Sequence, residues 1–177
     1  DLTHCDLAEI TAPRTGGPIS IAVIDFQVGM EMEKETGVAM ADLCRGAIQK
    51  ARENFLLLDR ENMATILGEH DLQQVIKCDE TKCLVEYGKL LKVQKMLYGR
   101  ISTLGQSFVV YVSVTDVSTA RIAAATTTQV AAREEALGQV IPSMVCDVLR
   151  DLLAGIPSTS TSGDEAGADP TSQEATE

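Results

Sequence analysis

The residues best suited to chemistry are cysteines and a histidine near the middle of the chain. Four residues separate Cys78 from Cys83 in a stretch that leads into a predicted helix, and His70 precedes them. This spacing allows the two Cα atoms to come within disulfide range. A local structural disulfide and a pair of free thiols are therefore two alternative interpretations. A metal site formed with His70 and Asp79 lacks the CxxC-type spacing of structural zinc sites. We favour the disulfide and expect no metal site.

Motifs for catalysis or cofactor binding are absent from the sequence. It contains no GxxxxGK[ST] loop, no GxGxxG after the first apolar run, no GxSxG and no HExxH. After Phe26 the chain reads Gln27, Val28, Gly29, without the glycines that cradle phosphates. The acidic cluster Glu31, Glu33, Glu35 is typical of a solvated surface. We therefore predict a protein that is not an enzyme and uses no cofactor.

Charge and hydrophobicity narrow the classes of partner. The net charge of the 177 residues is -11, and no Lys and Arg cluster is present, which excludes nucleic acid as an expected partner. No apolar run reaches the roughly 20 residues of a membrane-spanning helix. We expect membrane association only through a partner or through an anchor outside this sequence.

Hydrophobic periodicity predicts the order of the elements. Residues 1–18 read as an irregular leader, and Ile19 to Phe26 reads as a central buried strand. An amphipathic helix from Lys34 to Arg52 follows, with Cys44 on its apolar face as a small buried hydrophobe. A strand at Phe55–Leu58 and a helix capped by Asp59 come next, and Met63, Ile66 and Leu67 form the apolar stripe of that helix. The remaining predicted elements are a helix over Thr81–Leu91, strands at Lys95–Ser102, Ser107–Thr115 and Arg121–Val130, and a closing helix.

The predicted fold class is α/β (α+β), in the order β-α-β-α-α-β-β-β-α. Helix-linked strands followed by a short-turned meander indicate a mixed sheet, with the helices expected mainly on one face. The domain is predicted over residues 19–157. Residues 158–177 are rich in Ser, Thr and acidic residues and are predicted to be disordered, because they hold too few apolar side chains to offset chain entropy.

The element order and several strings resemble the CsgG-like family. The strings are ISIAVIDF, FLLLDRENMATILGE, CDETKCLVEYGKLL, MLYGRISTLG and VSVTDVSTARIAAA, and the leader string DLTH is also similar. The family includes the curli secretion channel, the N-terminal domain of TolB and lipoprotein activators of penicillin-binding proteins. The resemblance implies a non-catalytic domain, a paired Cys78 and Cys83, and assembly into rings or docking on periplasmic proteins.

Two departures from the channel pattern change what is expected. Only six residues separate Ile101 from Phe108. They leave no room for the long membrane hairpins of the channel, whose strands need roughly 9–11 residues each, so we expect no pore. At the last turn, Ser118, Thr119 and Ala120 stand where the family usually has Thr-Gly.

The expected function is that of a protein-binding scaffold or adaptor of a bacterial envelope assembly for secretion, motility or wall synthesis. Its expected location is the periplasm, either free or at the outer membrane. Its expected partners are envelope proteins or further copies of the chain in a ring. The best candidates for contact are Gln73, Gln74 and Lys77. Two alternatives remain open, a lipoprotein activator of peptidoglycan synthesis and a small protein that binds metal or reacts through Cys78, Cys83 and His70.

Overall fold

The computed structural model describes residues 10–12, 16–78 and 80–155. Six strands and four long helices fill the second and third of these ranges. The strands are β1 (Ile19–Val23), β2 (Gln27–Val28), β3 (Phe55–Leu58), β4 (Lys95–Leu104), β5 (Ser107–Asp116) and β6 (Arg121–Ala131). The helices are α1 (Lys34–Lys50), α2 (Arg60–Ile76), α3 (Thr81–Leu91) and α4 (Glu134–Ala154).

The strands form one mixed sheet in the order β3-β1-β4-β5-β6. β1 pairs in parallel with β3 and β4, while β4, β5 and β6 form an antiparallel meander. β2 continues the line of β1 along β4, but Val23 pairs with Leu97 whereas Gln27 pairs with Arg100. Four steps on one strand therefore match three on the other, and this extra residue breaks the strand at residues 24–26.

Two hydrophobic clusters cover opposite faces of the sheet. Ile21 and Val23 belong to the cluster that α1 and α4 complete, and Ala22 and Ile24 belong to the cluster that α2 and α3 complete. Alternate residues of one strand thus point to different helix layers, as expected of a strand buried on both faces. The expectation that helices pack mainly on one face is wrong in this respect, because two helices lie on each side.

The mixed sheet and the predicted order of elements are confirmed, with β2 as an addition. The short meander turns at residues 105–106 and 117–120 are also present. Asp59 caps α2 by accepting a hydrogen bond from the Asn62 N–H at 2.8 Å. The tail 158–177 lies outside the described residues, as does most of the leader 1–18.

Candidate functional site

A cleft of about 460 Å³ opens at the carboxyl end of β1, where the strand breaks. In an open α/β sheet this end of the parallel strands is the usual position for ligands. Side chains from the strand break and from both neighbouring helices form its wall. The lining residues are Asp25, Phe26, Gln27, Val28, Lys34, Val38, Arg60, Gln73 and Lys77. We call this feature the cationic cleft, because three of the four charged residues in the described part of its lining are positive.

Asp25 anchors the floor of the cationic cleft. It is buried, and its Oδ1 lies 3.2 Å from Arg45 Nη2 while its Oδ2 lies 3.3 Å from Arg60 Nη2. Arg45 also donates to the Val23 carbonyl at 2.8 Å and to Asp42 Oδ1 at 2.7 Å. The carboxylate is thus shared by two guanidinium groups, a buried one on α1 and a half-exposed one at the start of α2.

A break in α2 brings both ends of that helix to the cleft. Gly68 has φ 75° and ψ 161°, far outside the helical region, so the helix changes direction there. Without the break, Arg60 and Gln73 would lie about 20 Å apart along a straight helix at 1.5 Å per residue. A sphere with the volume of the cleft, 460 Å³, would be only about 10 Å across. The cleft wall therefore depends on the bend at Gly68.

Polar contacts connect the cleft to the end of α2 and to the sheet. Gln27 Nε2 donates to the carbonyl of Cys78 at 3.0 Å, and Tyr98 Oη donates to Gln27 Oε1 at 3.2 Å. A disulfide joins Cys78 to Cys83 in α3. The end of α2, the start of α3 and the sheet are therefore held together beside Lys77.

The structure brings together two of the three residues predicted to contact a partner. Gln73 and Lys77 line the cationic cleft, whereas Gln74 is exposed outside its lining. His70 is exposed on α2, and Asp79 lies outside the described residues. Cys44 is buried as expected, and burial raises the pKa of its thiol above the usual range despite the nearby charge of Arg45. The partner-binding role of the three residues stays a prediction.

The side chains of the cleft are suited to binding. Within residues 10–12, 16–78 and 80–155, no three His, Cys, Asp or Glu side chains lie close enough to share a metal ion. Asp25, the one carboxylate among the described lining residues, is bound by two arginines. Lys34, Arg60 and Lys77 present donors for an anionic group, and Phe26, Val28 and Val38 add apolar surface.

None of the helices in the described part of the chain combines the length and the hydrophobicity that crossing a membrane requires.

Asp25, Lys34 and Arg60 line the cleft but were not predicted as site residues. An acidic residue directly after an apolar strand was the available signal for Asp25. For Arg60, the signal was a basic residue directly after the helix-capping Asp59. Nothing in the sequence pattern indicated that Lys34, at the start of another helix, would face the same cavity.

The fold is similar to those of solved bacterial proteins. The LpoB C-terminal domain from Salmonella enterica matches with a TM-score of 0.52 and 11% identity, over 71% of this chain and 92% of that one. TolB from Acinetobacter baumannii matches with a TM-score of 0.50 and 15% identity, over 84% of this chain and 31% of TolB. The sequence matches no protein-family model and no curated protein.

These similarities are evidence about the fold. They agree with the TolB branch of the predicted resemblance. The specific likeness to the curli secretion channel stays a prediction.

Proposed function

We propose that this chain is a non-catalytic protein-binding domain of a bacterial envelope assembly and that it acts in the periplasm. The observation that carries the proposal is the fold shared with the LpoB C-terminal domain and with part of TolB. The cationic cleft supports it, because its lining offers charged and apolar contacts around a carboxylate that two arginines already bind. The disulfide between Cys78 and Cys83 fits an oxidising compartment such as the periplasm.

The proposed contact surface is the end of α2 and the adjoining cleft. Gln73 and Lys77 are exposed and line the cavity, and Gln74 extends the surface beyond its rim. The hydrogen bonds that join Gln27 to Cys78 and to Tyr98 hold the end of α2 in place beside the sheet. Such preorganisation lowers the entropy lost on binding.

Site-specific photo-crosslinking tests the placement. A photoreactive residue at Gln73 is expected to capture a discrete envelope protein in cells that make the full chain. The same residue at Gln49, an exposed glutamine near the end of α1, is the matched control and should capture far less. Equal capture at both positions, or none at Gln73, would contradict the proposed surface.

Charge reversal gives a second readout. Lys77→Glu is expected to weaken binding of the captured protein about tenfold or more. The variant replaces a positive charge of the cleft by a negative one, which would repel an anionic group of the partner. Lys50→Glu, on an exposed lysine at the far end of α1, should leave the affinity within about twofold. The dissociation constant of each purified variant is the measurement.

The similarity to the LpoB domain favours one narrower candidate, an activator of peptidoglycan synthesis. The purified chain would then raise the rate at which a peptidoglycan synthase from the same cells polymerises or cross-links its substrate. No change in either rate at saturating concentration would remove this candidate and leave the broader proposal standing. Self-association into a ring is checked separately by sedimentation velocity.

The alternative of a thiol or metal-binding protein has no supporting observation in the described residues. Cys78 and Cys83 are joined to each other, and His70 is exposed on α2. A thiol count under denaturing conditions, with metal analysis of the purified chain, tests it directly.

A further inference from the structure

Two cations of the cationic cleft are free to bind an anion. Among the described residues of the lining, Asp25 alone is acidic, and Arg45 and Arg60 already share its carboxylate. Lys34 and Lys77 form no ion pair with any residue of the described ranges. Both side chains are exposed at the rim. The cleft therefore presents uncompensated positive charge on an otherwise acidic protein.

The surrounding charges limit how strongly an anion is attracted. The net charge of the chain is -11, and the exposed glutamates Glu31, Glu33 and Glu35 are close to Lys34 in sequence. None of the three lines the cleft. A mobile anion in solution is repelled by the protein as a whole, whereas a tethered anionic segment is held nearby.

The chain itself contains such a segment. Residues 158–177 carry five acidic residues and no Lys or Arg, the acids being Asp164, Glu165, Asp169, Glu174 and Glu177. We propose that this acidic segment docks in the cationic cleft of the same molecule, through Lys34 and Lys77. The proposal rests on the protein-binding role proposed above and adds the regulation of that site.

The length of the connection permits docking within one molecule. The 22 residues from 156 to 177 follow Gly155 at the end of α4. Fully extended they reach about 70 Å at roughly 3.3 Å per residue. A folded domain of this size has a radius of gyration of only about 15 Å. The segment can therefore reach any point of the surface, at an effective concentration on the order of millimolar.

Docking of this kind regulates partner binding. Contacts between exposed charges are individually weak, so the segment exchanges between bound and free states. A partner with a stronger anionic element displaces it, while a weakly charged protein does not. The acidic segment thus raises the affinity that a partner needs in order to occupy the cleft.

Zero-length carbodiimide crosslinking of the purified full chain tests the proposal. The reaction joins a lysine to a carboxylate only where the two groups touch, and peptide mass spectrometry locates each crosslink. We expect crosslinks from Lys34 and Lys77 to residues 158–177 at about five times the yield from Lys50 and Lys82, two exposed lysines outside the cleft. The excess should disappear in about 1 M salt, where charges are screened beyond roughly 3 Å.

A variant makes the test specific to the cleft. Lys34→Gln is expected to lower the yield of crosslinks from Lys77 to the acidic segment several-fold, whereas Lys50→Gln leaves it unchanged. Similar yields from all four lysines would overturn the proposal. Crosslinks that join 15N-labelled to unlabelled chains in a mixed sample would overturn docking within one molecule.

This experiment contains no partner protein. A negative result therefore does not contradict the proposed protein-binding function. Likewise, failure of the photo-crosslinking at Gln73 does not contradict docking of the acidic segment.

Discussion

Asp25 is the residue on which the candidate site depends most. Its carboxylate is 5% exposed and lies between Arg45 on α1 and Arg60 at the start of α2. Burial of charged groups is unfavourable unless they are paired, so the carboxylate and Arg45 each require the other. The Nε of Arg45 is buried without a hydrogen-bond partner. The hydrogen bonds of its guanidinium group are therefore made by the two Nη atoms.

Replacing Asp25 is expected to destabilise the fold far more than replacing Arg60. Asp25→Asn removes the buried counterion of Arg45 and leaves it only the exposed Asp42, at an expected cost of about 3 kcal/mol. Arg60→Gln removes a side chain that is 44% exposed, and the expected loss is below about 1 kcal/mol. Urea unfolding of both variants gives the two free energies. Equal losses would show that Arg45 does not depend on Asp25.

The turn between β5 and β6 contains a residue in an unfavourable backbone conformation. Ala120 has φ 56°, in the left-handed region that disfavours side chains with a Cβ. Ala120 lies in the turn where the predicted family resemblance breaks down, since the expected Thr-Gly is altered there. Ala120→Gly is expected to raise the free energy of unfolding by about 0.5–1 kcal/mol.

The matched control for Ala120→Gly is Ala125→Gly in the middle of β6. There the alanine is in a strand, and glycine should destabilise by about 0.5–1 kcal/mol. Chemical denaturation measures both variants. Loss of stability in both would contradict the strain assigned to Ala120.

Single residues were predictable where local chemistry decides their role. The Asp59 cap follows from a carboxylate at a helix start, and burial of Cys44 follows from its place on an apolar face. Ile66 was expected in the core stripe but is 51% exposed. The ion pairs of Asp25 join residues 20 and 35 positions apart, so no local pattern contains them.

At the scale of elements, the break in α2 decides whether a cleft exists. The sequence pattern predicted a helix after Asp59 but not the change of direction at Gly68. A glycine inside a helical stripe was the available signal. Its backbone angles lie in a region that residues other than glycine rarely adopt, and they place Arg60 and Gln73 on one cavity.

Substitution of Gly68 is therefore expected to damage both stability and the site. Gly68→Ala should cost about 1–3 kcal/mol, because alanine is strained at these angles. It should also weaken partner capture at Gln73, since relief of the strain reorients the second half of α2. Gly46→Ala is the control, because Gly46 is an exposed glycine within α1 and should stabilise by about 0.5–1 kcal/mol. If a destabilised Gly68→Ala protein still captured the partner fully, the bend at Gly68 would not be required for the site.

Most element boundaries were predictable because hydrophobic periodicity is local. α3 begins and ends at the predicted residues, and β4 and β6 extend beyond their predicted ends. The layering was not predictable in the same way. Strand β1 reads as apolar on both sides, but which helix covers which face depends on how the connections cross the sheet.

At the scale of the whole molecule, net charge and one ion pair set the response to acid. The chain carries -11 at neutral pH and has a pI of about 4.6, so mild acid reduces its self-repulsion. Asp116 acts in the opposite direction. Its carboxylate pairs with Lys95 across β4 and β5 and accepts hydrogen bonds from Ser118 and Thr119 at the β5-β6 turn.

Stability is therefore expected to change little between pH 7 and 5 and to fall below about pH 4. Burial acts to raise the pKa of Asp116, but the hydrogen bonds from Lys95, Ser118 and Thr119 outweigh it and hold the pKa well below its usual range. An unfolded Asp titrates near 3.9, so below about that pH the unfolded chain binds more protons than the folded one. By linkage, the stabilisation from Asp116 is complete above this pH and is lost as pH falls towards the folded pKa.

Asp116→Asn separates this contribution from the general charge effect. The variant should be less stable than the parent at pH 7, and the difference between the two should shrink steadily from pH 5 to pH 2. Asp71→Asn, at an exposed carboxylate of α2, should track the parent over the whole range. Urea midpoints measured at each pH give the comparison. A difference that stays constant with pH would mean that Asp116 stabilises the turn through its shape and hydrogen bonds, independent of its charge.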